Sequence, residues 1–138
     1  MKVFFDTNVL IDAFTLRDYS YKDSRDLIIK VANKEIDGYF SSKQITDIYY
    51  SLRKYVSDED KRKQIIKDIM QTFTVLPCLP SDLQVSVKSK IDDFEDAVIE
   101  EIAKVNMIEY IVTSNIKHFI NSSLVIISPN DLNKLTNI

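Results

Sequence analysis

The chain has 138 residues, 45% of them hydrophobic, enough for one compact domain spanning residues 1–138. Its 18 basic and 21 acidic side chains leave a formal charge of −3, which excludes a basic stripe as the means of holding a nucleic acid, so a polyanionic partner must be bound locally. The single glycine excludes phosphate-cradling loops and the Gly-x-Ser-x-Gly elbow, and one cysteine with one histidine excludes a disulfide or a zinc cluster.

The first strand is residues 2–5, KVFF, and it runs directly into Asp6-Thr7-Asn8. Asp6 or Thr7 can cap the helix that starts near Asn8, so the triplet read alone has a purely structural explanation. An aspartate follows only five residues, and no later apolar run approaches the ~20 residues of a membrane span, so a cytoplasmic protein with no membrane segment is expected. Helical periodicity over 23–33 follows a cap at Asp23 or Ser24. A short strand is expected at 39–41, followed by a helix over 44–55 with Ile45, Ile48, Tyr49 and Leu52 on one face. Ser57 with Asp60 resembles a capping box and opens a helix over 58–72, in which Ile65, Ile66, Ile69 and Met70 share helical spacing. Strand-like runs follow at 73–77, 108–113 and 124–127. Cys78 reads as a small buried thiol.

Between the runs at 73–77 and 108–113 lies IDDFEDAVIEE, residues 91–101, with six carboxylates in ten positions. Asp93 is a good N-cap for a helix beginning at Phe94, whose Phe94, Ala97, Val98, Ile102 and Val105 recur at helical intervals and are expected to pack on a sheet. Asp93, Asp96 and Glu100 fall three or four residues apart on the other face, where like charges repel and a cation would relieve them. The stretch alone favours a solvated helix start, as most charge runs are. Strands alternating with helices imply a parallel sheet covered on both faces, and ligands of such sheets bind at the carboxyl ends of strands where the strand order reverses. The polar triplets Asp6-Thr7-Asn8 and Thr113-Ser114-Asn115 both end strands and are placed to face one crevice.

Three separated segments together, DTNVLID (6–12), ITDIYYSLRK (45–54) and DFEDAVIEEIAKVNMIEYIVTSNIKHF (93–119), resemble PIN domains, in particular the bacterial group that supplies toxins of toxin-antitoxin pairs. The resemblance implies a three-layer α/β/α fold with a central parallel sheet and Mg2+- or Mn2+-dependent hydrolysis of RNA. Matched to the family pattern, Asp6, Asp47 and Asp96 are the acidic metal ligands, with Asp93 assisting. Asp47 stands where the family usually has the longer glutamate. Asn115 stands where many members have a fourth aspartate. Thr7, Asn8 and Thr113 would orient ligands or substrate. Hard oxygen donors of this kind suit magnesium, which typically takes one or two carboxylates and keeps several waters.

Arg17, Lys22, Arg25, Arg53, Lys54 and Lys117 are candidate contacts to flanking phosphates. Tyr50 is a candidate for stacking on bases and Tyr49 for the core, while Glu95, Glu100, Glu101 and His118 are expected at the surface. The resemblance further implies an RNA substrate, a cognate antitoxin whose tail fills the acidic cleft, and a homodimer. Two other readings stay open: a PIN-like module that binds RNA or a protein without cleavage, and a haloacid-dehalogenase-type phosphatase, against which Asn8 counts because that chemistry needs an aspartate there.

Overall fold

In a computed structural model, residues 1–15 and 21–137 are described; Arg17 lies outside them. The elements are β1 (Lys2–Phe5), α1 (Thr7–Thr15), α2 (Tyr21–Ala32), β2 (Asp37–Ser41), α3 (Ser42–Leu52), α4 (Glu59–Thr72), β3 (Thr74–Leu76), α5 (Pro80–Ser86), α6 (Phe94–Val105), β4 (Tyr110–Val112), a 3-10 turn (Ile116–Phe119), β5 (Val125–Ile127) and α7 (Pro129–Thr136). All five strands pair in parallel, in the order β3-β2-β1-β4-β5. The chain therefore fills one side of β1 first and then crosses to the other, which makes the gap between the carboxyl ends of β1 and β4 the switch point.

The run KVFF works as a central strand because both of its faces are covered. Val3 and Phe5 belong to a core built with α1–α4, and Phe4 belongs to a second core built mainly with α6. Phe73 closes the first core against Phe5 and Phe40, at ring-centroid distances of 4.8 and 6.1 Å. Fully burying side chains of this size stabilises by about 1.5–3 kcal/mol each. Gly38 lies in β2 because α2 packs closely there: a Cβ at this position would lie 2.7 Å from a Val31 methyl. With no glycine available, the turns after α2 and α6 use left-handed residues that carry side chains, Lys34 (φ 62°) and Met107 (φ 57°).

Several local expectations are corrected by tertiary packing. The α4 cap is Asp58 rather than Ser57; its carboxylate accepts from the N–H groups of Asp60 and Lys61. α2 begins at Tyr21, so Asp23 falls inside its first turn, and Ser24 is buried. In α6 the sheet-facing residues are Ala97, Val98, Ile99, Ile102 and Ala103, while Phe94 and Val105 are exposed. Met70 is exposed and Cys78 is only partly buried. α5 and α7 were not expected, since each is short and opens on a proline at its N-terminus. α7 is held to α2 by the Lys30 ammonium, which donates to Asn133, Thr136 and Asn137. No described helix is long and apolar enough to cross a membrane.

Candidate active site

Both β1 and β4 carry their ladders one residue past the strand end: the Asp6 N–H donates to Val112 O and the Thr113 N–H to Ile127 O. The side chains of Asp6 and Thr113 are thereby held together at the switch point. The Thr113 hydroxyl donates to Asp6 Oδ2 at 2.7 Å, Asn8 Nδ2 donates to the same oxygen at 3.2 Å, and the Thr7 N–H donates to Oδ1 at 2.8 Å. Asn8 also accepts from the Ser114 N–H, tying the two loops across 106 residues of sequence. Asp6 is buried, and burial holds its carboxyl above the ordinary carboxylate range against the lowering pull of Thr113, Thr7, His118 and Asn8.

Asp93 caps α6 as expected, accepting from the Asp96 N–H at 3.0 Å, and this sets the first turn of the helix at the carboxyl ends of the strands. Asp96 then faces the same cleft as Asp6. Its carboxyl is pushed up to about 6, first by burial and then by the negative charges of Asp6 and Asp93, with His118 opposing. His118 is exposed, yet its Nδ1 lies 3.6 Å from Asp96 Oδ2. Sequence reasoning assigned it to the surface and missed this contact, which arises only when the 3-10 turn folds beside α6.

α3 forms the opposite wall. Its buried face is Gln44, Ile48 and Leu52. Lys43, Asp47, Tyr50 and Ser51, at i, i+4, i+7 and i+8, line the cleft with Asp6, Thr7, Glu95, Asp96 and Ile99, enclosing about 340 Å³. Gln44 was not anticipated. Ser41 and Gln44 form a reciprocal capping box, and the Gln44 amide nitrogen reaches Phe5 O (3.0 Å) and Thr7 Oγ1 (3.2 Å), locking α3 to the end of β1. The Ser-x-x-Gln spacing was the available signal.

The expected site residues are thus brought together unequally. Asp6 and Asp96 share the cleft, with Thr7 beside them and Asn8 and Thr113 holding Asp6. Asp47 is exposed on its α3 wall. Asp93 faces a neighbouring hollow with Lys117 and His118. Asn115 is exposed and contributes its backbone N–H to Thr113 Oγ1. Glu95, expected to be solvated, is exposed but lines the cleft, whereas Glu100 is buried and accepts from the Ser123 N–H. A larger cavity of about 610 Å³ lies on another side of α6, among Lys88, Lys90, Glu100 and Lys104, and contains none of the expected residues.

Among the described residues, no three His, Cys, Asp or Glu side chains converge as a ready-made metal-binding group. Two carboxylates lining one cleft, both held above the ordinary range by burial and Asp96 also by the charge of Asp6, nonetheless fit a hard divalent cation, because magnesium sites commonly use one or two carboxylates and complete the shell with water and phosphate.

Residues 2–117 match the family model described as the PIN domain. The chain is 30% identical over 133 residues to Ribonuclease VapC1 of Aquifex aeolicus (strain VF5), covering 92% of this chain and 90% of that protein. Its fold is similar to that in the crystal structure of VapBC2 from Rickettsia felis bound to a promoter DNA fragment (TM-score 0.68, 18% identity, 93% of this chain and 98% of that one). It is also similar to that in a toxin-antitoxin complex from Klebsiella pneumoniae (TM-score 0.67, 20% identity, 92% and 97%).

Proposed function

The chain belongs to the PIN-domain family, and on that premise we propose that it is a Mg2+- or Mn2+-dependent endoribonuclease that hydrolyses RNA phosphodiester bonds. The observation that carries this reading is that buried Asp6 and Asp96 line one cleft at the switch point of the sheet, where burial and the charge of Asp6 disfavour ionisation of Asp96. Asp6 and Asp96 would hold the cation, with Asp47 reaching it through water. When bound, the ion supplies charge stabilisation at the scissile phosphate and lowers the pKa of the attacking water.

The remaining work falls to the chain's own side chains. Thr113 and Asn8 fix both the position and the charge of Asp6 by donating to Oδ2, and the Thr7 N–H occupies Oδ1. Gln44 sets the distance between α3 and the end of β1 and so the width of the cleft. Lys43 faces the same space and can balance the charge of a phosphate there. Of the candidate phosphate contacts, Lys22, Arg25, Arg53, Lys54 and Lys117 are exposed, as such contacts require.

The same reading extends to the toxin of a toxin-antitoxin pair acting in the cytoplasm, with a cognate antitoxin whose tail enters the acidic cleft and with a homodimeric assembly. It is supported by the family and by the toxin-antitoxin complexes that share the fold. The test is cleavage of a mixed RNA pool with Mn2+, with excess EDTA, and by Asp6→Asn and Asp96→Asn proteins prepared identically. Loss of cleavage on chelation and in both variants is expected. Equal cleavage in every sample would trace the activity to a contaminant and overturn the nuclease reading.

A further inference from the structure

Among the described residues, Tyr50 is the one large aromatic side chain lining the acidic cleft, and 67% of it is exposed. Its neighbour Tyr49 behaves differently: it is half-buried, with the Arg62 guanidinium 5.5 Å from its ring centroid. Packing therefore explains Tyr49 and leaves Tyr50 without a structural role, since the buried face of α3 is complete with Gln44, Ile48 and Leu52. The Arg53 guanidinium lies 5.8 Å from the Tyr50 ring centroid, which steadies the ring and sets a cation beside it. A ring so exposed still has open surface beyond the part Arg53 approaches.

The placement along the helix matters as well. At a rise of about 1.5 Å per residue, Tyr50 stands about 4.5 Å along the axis from Asp47 and about 10 Å from Lys43. This stripe thus presents a cation, a carboxylate and an aromatic ring in succession, and the exposed Arg53 and Lys54 follow just past the end of α3. Cations spaced along a groove with an accessible aromatic ring between them are how single-stranded nucleic acids are held without base-edge readout, the phosphates on the cations and a base on the ring.

We propose that Tyr50, steadied by Arg53, is the stacking platform for one unpaired base of the RNA strand beside the scissile phosphate. This rests on the ribonuclease reading for the word scissile, but the stacking itself can be measured without cleavage. Because Tyr50 sits outside the core, its substitution leaves folding intact, which thermal unfolding of each variant checks.

In the first arm, cleavage of a single-stranded oligonucleotide with Mn2+ is compared for the unmodified chain and for Tyr50→Leu, Tyr50→Phe and Tyr50→Trp. Tyr50→Leu should lower kcat/KM about 10- to 100-fold, in the range that one stacked base is worth, while Phe and Trp stay within a few-fold. An abasic substitution at one position next to the cut should reproduce the loss in the unmodified chain and add nothing in Tyr50→Leu. In the second arm, 2-aminopurine is placed at successive positions of the strand and its fluorescence is followed on binding with Ca2+ in place of Mn2+. Quenching at one position that Tyr50→Phe preserves and Tyr50→Leu abolishes is expected. If the unmodified chain cleaves and Tyr50→Leu cleaves equally well, the platform is overturned and the nuclease stands. If nothing is cleaved, the nuclease reading fails and the fluorescence decides alone: quenching that depends on Tyr50 upholds the platform, and its absence, or no binding of RNA at all, overturns it.

Discussion

Replacing Asp96 by asparagine should stabilise the metal-free protein at neutral and alkaline pH while abolishing its activity. Asp96 carries a folded-state pKa of about 6 against an ordinary value of 3.8, so in the native protein its ionisation is disfavoured by burial and by Asp6 and Asp93. A group whose pKa rises on folding contributes stability that is complete below the unfolded value and is lost as pH climbs through the folded one. Here the loss runs from about pH 4 to pH 6, and above that the wild type carries the whole penalty. The rise from 3.8 to about 6 sets a ceiling of ~3 kcal/mol, since each tenfold change in proton affinity is 1.36 kcal/mol. The carboxylate faces an open, wet cleft, and solvent screening reduces this to about 1–2 kcal/mol. For a chain of 138 residues that is a rise in Tm of about 3–7 °C.

The assay is thermal unfolding of wild type and Asp96→Asn in EDTA at pH 4, 5, 6 and 8, repeated at pH 8 with Mn2+. The variant should be more stable at pH 8, with the difference vanishing toward pH 4, and Mn2+ should stabilise the wild type more than the variant because binding to the native state adds directly to stability. A variant less stable than wild type in EDTA at pH 8, or a difference that does not change with pH, would refute the picture of two carboxylates in enforced proximity.

Thr113→Val removes the hydroxyl that holds the Asp6 pKa down, so the Asp6 pKa rises further and the acidic limb of the kcat/KM profile should move to higher pH; an unmoved limb refutes that role. Gln44→Ala leaves the Ser41 N–H buried without its partner and frees α3 from Phe5 O and Thr7, so a loss of about 2–3 kcal/mol in urea unfolding is expected along with reduced cleavage. Gly38→Ala forces a methyl against Val31 and should cost about 1–3 kcal/mol by the same measurement. Met107→Gly relieves the left-handed backbone at an exposed side chain and should gain about 0.5–1 kcal/mol, seen as a higher Tm.

The parallel sheet was legible because strand-length apolar runs such as KVFF, IEYIVT and LVII alternate with segments of helical period. That put Asp6 and Thr113 at the carboxyl ends of two strands able to face one crevice, and local chemistry likewise fixed Asp93 as the α6 cap; that the two strands are neighbours is decided by the order of the sheet. Which carboxylates share space was not legible. Asp93, Asp96 and Glu100 are equivalent by helical spacing, yet Asp93 spends its side chain on a cap, Glu100 is buried against Ser123, and Asp96 alone of the three enters the cleft with Asp6. Glu95 and His118 were assigned to solvent, and both come to the site only because α6 and the 3-10 turn converge there. Periodicity records which face of an element is apolar, and that follows from residues a few positions apart. The partners of a polar face depend on how elements dock across 40 to 110 residues of chain, as in the Gln44 to Phe5 and Thr113 to Asp6 hydrogen bonds. Those contacts belong to the tertiary structure, because no spacing within one element encodes the distance to another.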